Sequence, residues 1–120
     1  MSTREDIAAA LATVPGVTAP SPTPPPTPVA GAAWPVWTAY TWLNDCLRET
    51  TWYVYVVVPS GNLATRSQAA DALAEPLGEA LYDLGTLGPI EPVSLPPAEG
   101  TGQGMPALRA TLTTTTEGGI

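Results

Sequence analysis

Apolar residues recur along the chain with two different spacings, and the change from one to the other marks its elements. Ile7, Leu11 and Val14 stand at i, i+4 and i+7 with small alanines between them. That is one stripe of a helix, predicted over about Thr3 to Val14. Ser2 with Glu5, or Thr3 with Asp6, can cap its start, and Pro15-Gly16 ends it. So short a stripe is not stable alone and must dock on something.

From Trp34 the spacing changes to two. One strand is expected over Trp34 to Leu43 and a second over Thr51 to Val58. In the second, Trp52, Val54, Val56 and Val58 share a face, and Tyr53, Tyr55 and Val57 share the other. With both faces apolar or aromatic, this strand is expected to be central and covered on both sides, or else exposed to a partner. The polar connector Asn44 to Thr50 suits an antiparallel hairpin with a bulging or projecting loop. Pro59-Ser60-Gly61-Asn62 breaks the strand.

A helix is then predicted from Leu63 or Ala64 to Leu84. Leu73, Leu77, Leu81 and Leu84 form its buried stripe, and Asp71, Glu75, Glu79 and Asp83 an acidic outer ridge. Pro76 lies inside and predicts a kink or a restart. Leu87 to Pro96 reads as an extended edge segment because of Pro89 and Pro92. A glycine-rich loop, Ala98 to Gly104, precedes a last strand over about Met105 to Thr115, in which Leu108, Ala110 and Leu112 alternate with polar neighbours. Residues 116–120 are expected to fray.

The Pro-rich stretch between the first helix and the hairpin, residues 19–35, is expected to be extended with little core, as a stiff spacer or a sheet-edge segment, the alternative being a docking peptide for an aromatic groove. The whole order predicts a single α+β domain over residues 1–120. Its antiparallel sheet has about four strands, with the N-terminal helix and the longer central helix packed on one face.

Composition removes most chemistries. The chain has 120 residues, a net charge of −7, no His and one Cys, and its four basic residues are Arg4, Arg48, Arg66 and Arg109. Four scattered arginines give no basic footprint for nucleic acid. Without His, and with one Cys, no metal site is expected, nor any intrachain disulfide or cofactor. No apolar run approaches a membrane span, and the acidic start lacks the apolar core of a secretory signal. A protein made and kept in a cytoplasm is the expectation.

No catalytic group emerges either. Cys46 lies beside Asp45, which disfavours a reactive thiolate. The ridge carboxylates have the spacing of a solvated face. Asn44, Asp45 and Glu49 lack the calcium-loop pattern, and Gly100 to Gly104 lacks the Lys and helix of a phosphate cradle. What stands out is the aromatic set. Seven of the eight aromatics, Trp34, Trp37, Tyr40, Trp42, Trp52, Tyr53 and Tyr55, fall in the hairpin. One small sheet face does not hide seven such rings, so some are expected at an interface. Stacking on carbohydrate is the competing use.

The order of elements resembles that of the tail terminator proteins of long-tailed, siphovirus-type phages of high-GC actinobacteria. The resemblance rests on the stretch from Ile7 to Val17 ending in Pro15-Gly16, on Gly31-Ala32-Ala33-Trp34-Pro35-Val36-Trp37 leading into the hairpin, on Leu81-Tyr82-Asp83-Leu84-Gly85, and on Met105-Pro106-Ala107-Leu108. It covers nearly the whole chain, by order and length and not by one motif. It implies a non-enzymatic virion protein at the tail–neck junction. Subunits would form a ring, commonly hexameric, that caps the tail tube and docks the head–tail connector, while DNA passes an acidic channel without specific binding. On this basis Trp37, Trp42, Asp45, Arg48, Glu49, Tyr53, Tyr55 and Arg109 are the expected contacts with neighbouring subunits or the tube protein. Arg48 and Arg109 could form rim pairs with Glu75 or Glu79. A head–tail stopper or a minor tail protein is the alternative, and a small carbohydrate-binding module a more distant one. The long proline run departs from simpler members and bears on the outer contour of such a ring.

Overall fold

The run richest in β-branched and aromatic residues becomes the middle strand of a five-stranded sheet. A computed structural model describes residues 4–25, 29–58, 63–95 and 105–117. In chain order the elements are α1 (Arg4–Leu11), β1 (Ala19–Pro20), β2 (Ala32–Trp42), β3 (Leu47–Val57), α2 (Leu63–Tyr82), β4 (Thr86–Leu95) and β5 (Met105–Glu117). The sheet order is β1-β2-β3-β5-β4. All pairs are antiparallel except the two-residue β1, which runs parallel to the start of β2. The protein is thus α+β, with a fifth, parallel strand beyond the expected four.

Both helices lie on one face of the sheet, as their stripes predict. Ile7, Leu11 and Val14 meet Leu73, Leu77 and Leu81 over Ala33, Trp52, Val54, Val56, Val58, Leu108, Ala110 and Leu112. Leu77, Leu81 and Leu112 have no exposed surface, and truncating such a leucine to alanine typically costs about 2–5 kcal/mol. The ridge of Asp71, Glu75, Glu79 and Asp83 faces solvent. α2 passes through Pro76 without a restart. β4 is an edge strand, as its prolines require.

Gly85 follows α2 where the chain crosses close under β5. A Cβ there would collide with the carbonyl oxygen of Thr113. Gly31 has φ +90°, which turns the chain into β2.

Several boundaries differ from the sequence reading. The stretch 19–35 is not a core-free spacer throughout: β2 begins at Ala32, and Ala32, Ala33, Trp34 and Pro35 are buried. Arg4 helps hold this segment by donating through Nη1 to the carbonyls of Pro35 (3.4 Å) and Pro22 (3.5 Å). The connector is shorter than Asn44 to Thr50, because β3 already starts at Leu47. β5 runs on to Glu117, so Thr116 and Glu117 are paired with Arg48 and Leu47 instead of fraying. The cap residues Ser2 and Thr3, the break at Pro59 to Asn62, the loop Ala98 to Gly104 and the end 118–120 lie outside the described residues.

Candidate functional site

The β2–β3 hairpin extends past the helical layer as an arm, with the end of β5 paired along β3 as far as Leu47. Residues 31–35 are buried, Ala33 under the helical layer and Ala32 and Trp34 on the opposite face with Val57, whereas every residue from Trp37 to Cys46 is exposed. Its tip is closed by Asn44. The Asn44 side-chain Oδ1 accepts from the amides of Cys46 (2.8 Å) and Leu47 (3.0 Å), and the Leu43 amide donates to the Leu47 carbonyl at 3.0 Å. This is the local bonding for which Asn is favoured in turns.

One inserted residue decides which way the arm's rings face. Trp37 opposes Trp52 and Ala39 opposes Thr51, which leaves Thr38 as a bulge. The Thr38 hydroxyl donates to the Thr51 carbonyl at 2.9 Å. Beyond it Tyr40 opposes Thr50 and Trp42 opposes Arg48. Side chains of a strand alternate between faces, and an extra residue shifts the phase by one. Trp37, Tyr40 and Trp42 therefore share the face of Trp52, past the end of the helical layer. Their exposures are 53%, 49% and 65%. The rings of Trp37 and Tyr40 are 6.4 Å apart and inclined by 58°.

Arg48 is not an exposed rim cation. It is 6% exposed. Its guanidinium lies 3.4 Å from the centroid of Trp42, and Nη1 donates to the carbonyls of Asn44 (2.8 Å) and Leu47 (3.3 Å). Below it, Trp52 donates through Nε1 to the buried Thr114 hydroxyl at 3.2 Å, and the Arg4 guanidinium lies 5.2 Å from the Trp52 ring.

The opposite face of the sheet carries a second, half-buried group. Trp34, Tyr55, Arg109 and Glu91 stand in one row across β2, β3, β5 and β4. Arg109 bonds the Glu91 carboxylate at 3.1 Å and lies 4.5 Å from the Tyr53 ring. That hydrogen bond raises the arginine further above its ordinary value. Tyr55 meets Tyr53 edge-on at 6.3 Å and Trp34 at 5.8 Å. Arg109 is thus engaged by Glu91 of its own chain.

The expected contact residues therefore divide into two groups. Trp37, Trp42 and Asp45 are exposed on the arm with Arg48 beneath Trp42, and Glu49 is half-buried on β3. Tyr53, Tyr55 and Arg109 belong to the far face. Tyr40 and Leu43, 49% exposed each, complete the arm's apolar surface. The sequence named Tyr40 only as one of the hairpin aromatics. Cys46 is a free, exposed thiol at the tip. Among the described residues no three His, Cys, Asp or Glu side chains gather as a metal site, and no helix is long and apolar enough to cross a membrane. Comparison with protein-family models, with curated proteins and with solved structures finds no match.

Proposed function

We propose that this chain is a structural joining protein of the tail-terminator kind. Its subunits close into a ring, hexameric as in the family it resembles, that caps a phage tail tube, halts tube growth and offers the connector a docking surface. The observation that carries the reading is the projecting arm with Trp37, Tyr40 and Trp42 exposed on one face. Large rings held out on a rigid hairpin are the anchors that protein interfaces use. A ring multiplies a modest contact, since all subunits engage the tube end together. The net charge of −7 suits a wall past which DNA slides.

A head–tail stopper or minor tail protein would use the same surface and stays the alternative. Carbohydrate stacking is less well served, because the 58° inclination of Trp37 to Tyr40 gives no flat platform. The test is electron microscopy of particles assembled without this chain. Tails of abnormal length, or finished tails unjoined to capsids, are the expected result. Tails of normal length joined to capsids overturn the reading.

A further inference from the structure

β2 is an edge strand over most of its length. β1 covers only Ala32 and Ala33, and among the described residues no strand pairs with the outer side of Val36 to Trp42. The hairpin fixes which backbone groups point outward. The Leu43 amide bonds the Leu47 carbonyl, Trp42 opposes Arg48 and Thr41 opposes Glu49. Opposed pairs of an antiparallel ladder alternate between bonded and unbonded. Leu43 and Thr41 thus aim their amides and carbonyls at β3, and Trp42 and Tyr40 aim theirs away from it.

Free edges in natural sheets are guarded by charge, proline or bulges. The opposite edge, β4, has Pro89, Pro92 and a register shift between Leu87 and Ile90. The arm beyond Thr38 has none of these: Ala39 to Leu43 contains no charge and no proline. With one edge guarded and one open, sheets cannot add head to tail. The open edge can be completed by its own counterpart on a second copy, about a two-fold axis.

Charge selects the same occupant. No Asp, Glu, Lys or Arg occurs from residue 7 to residue 44. Two chains of charge −7 repel wherever their carboxylates meet, and β2 is where they do not. A basic partner would be drawn instead to the ridge of Asp71, Glu75, Glu79 and Asp83.

We propose that two copies of the free protein pair antiparallel through the outer edges of β2, centred on Thr41. In this register Tyr40 opposes Trp42 of the second copy, and each such pair exchanges two main-chain hydrogen bonds. Thr41 opposes Thr41 of the second copy. Trp37, Tyr40, Trp42 and Leu43 bring roughly 400–500 Å² of exposed surface per copy, over half of the ~800 Å² a stable contact uses on each side. The pairing belongs to the protein in solution and holds whether or not the chain caps a tube.

The test is sedimentation equilibrium of the full chain from about 1 to 200 μM, with a spin label on Cys46, its single cysteine. A dimer is expected, with the labels roughly 25 Å apart, because each arm tip lies about three or four residue rises beyond Thr41. Thr41→Lys faces Glu49 within its own hairpin, so the monomer keeps its fold. In the pair, however, the lysine faces its own image, and Kd rises about tenfold or more. Tyr40→Pro removes an outward donor without touching the ladder to β3 and has the same effect. A monomer over the whole range overturns the pairing. So does a dimer indifferent to Thr41→Lys, or a label separation beyond about 40 Å. A six-subunit species unchanged by Thr41→Lys speaks for the ring and against this contact.

Discussion

The guanidinium of Arg48 lies 3.4 Å from the centre of the Trp42 ring, and the two residues oppose each other near the tip of the arm. The ring covers the cation on one side, and the Asn44 carbonyl accepts a hydrogen bond from its Nη1 at 2.8 Å. This pair adds to the turn bonds and to the pairing of β5 along β3 in holding the end of the hairpin. Arg48→Ala removes the stacking and the turn bond together. We expect a loss of about 1–2 kcal/mol in urea unfolding and a red shift of tryptophan emission. Arg48→Lys recovers little, since an ammonium has neither the plane nor the fork of a guanidinium.

Thr114 anchors the other end of the same aromatic column. Its hydroxyl accepts the Trp52 indole N–H in the core. Thr114→Val keeps the shape and removes the acceptor, leaving a buried donor unpaired. A destabilisation of about 1–3 kcal/mol is expected. Thr114→Ser retains the acceptor and retains most of the stability. Chemical denaturation of the three proteins checks the order.

At Gly85 the neighbour of an added methyl is backbone, the Thr113 carbonyl, and not a movable side chain. Gly85→Ala therefore forces β5 and the end of α2 apart. We expect a loss of more than ~2 kcal/mol, with the midpoint of thermal unfolding falling accordingly. A variant as stable as the parent would contradict the close approach.

The exposed rings predict the opposite pattern. Trp37→Ser and Tyr40→Ser remove little buried surface, so stability should change by less than ~1 kcal/mol. Under the tail-capping reading the same variants lose a hundredfold or so in binding to isolated tail tubes, the scale of interface anchors. Co-sedimentation with tubes measures it. Intact binding by the double variant would move the docking surface off the arm.

Arg109 gives a prediction about pH. Its hydrogen bond to Glu91 raises the guanidinium above its ordinary value. A base raised on folding contributes fully below its unfolded value and loses the contribution only as pH climbs through the folded one. For an arginine that window lies above the range in which the protein is handled. The stability difference between the parent and Arg109→Gln should therefore be the same at pH 7 and pH 9. A difference that shrinks between those values would point to another titrating group.

Periodicity made the scaffold legible. Ile7, Leu11, Val14 and Leu73, Leu77, Leu81 announce their stripes because helix burial repeats over several turns, and β3 announces itself by density alone. Pro89 and Pro92 gave away an edge because proline lacks a donor. The arm was half legible. Crowding seven aromatics into one hairpin implied that some would be exposed, and Trp37, Tyr40 and Trp42 are. Which face they take was hidden, because a bulge at Thr38 is a single uncharged residue with no periodic trace. Arg48 misled for a related reason. A charged residue in a polar connector reads as solvated, and only the tight turn built by Asn44 brings Trp42 over it. The parallel pairing of β1 with Ala32 and Ala33 joins two ends of a proline-rich stretch whose sequence has no hydrophobic pattern to read.

Trp37 and Tyr40 stand three residues apart, a spacing that in a regular strand sends two side chains to opposite faces. The bulge at Thr38 absorbs the odd residue and keeps both rings on the side of Trp52. An arm that kept every residue but ironed out the bulge would slide by one against β3 and turn Tyr40 and Trp42 to the reverse side, with Tyr53, while Trp37 stayed put. No atom of the core would change, yet the molecule would present its sticky surface in two halves on opposite sides.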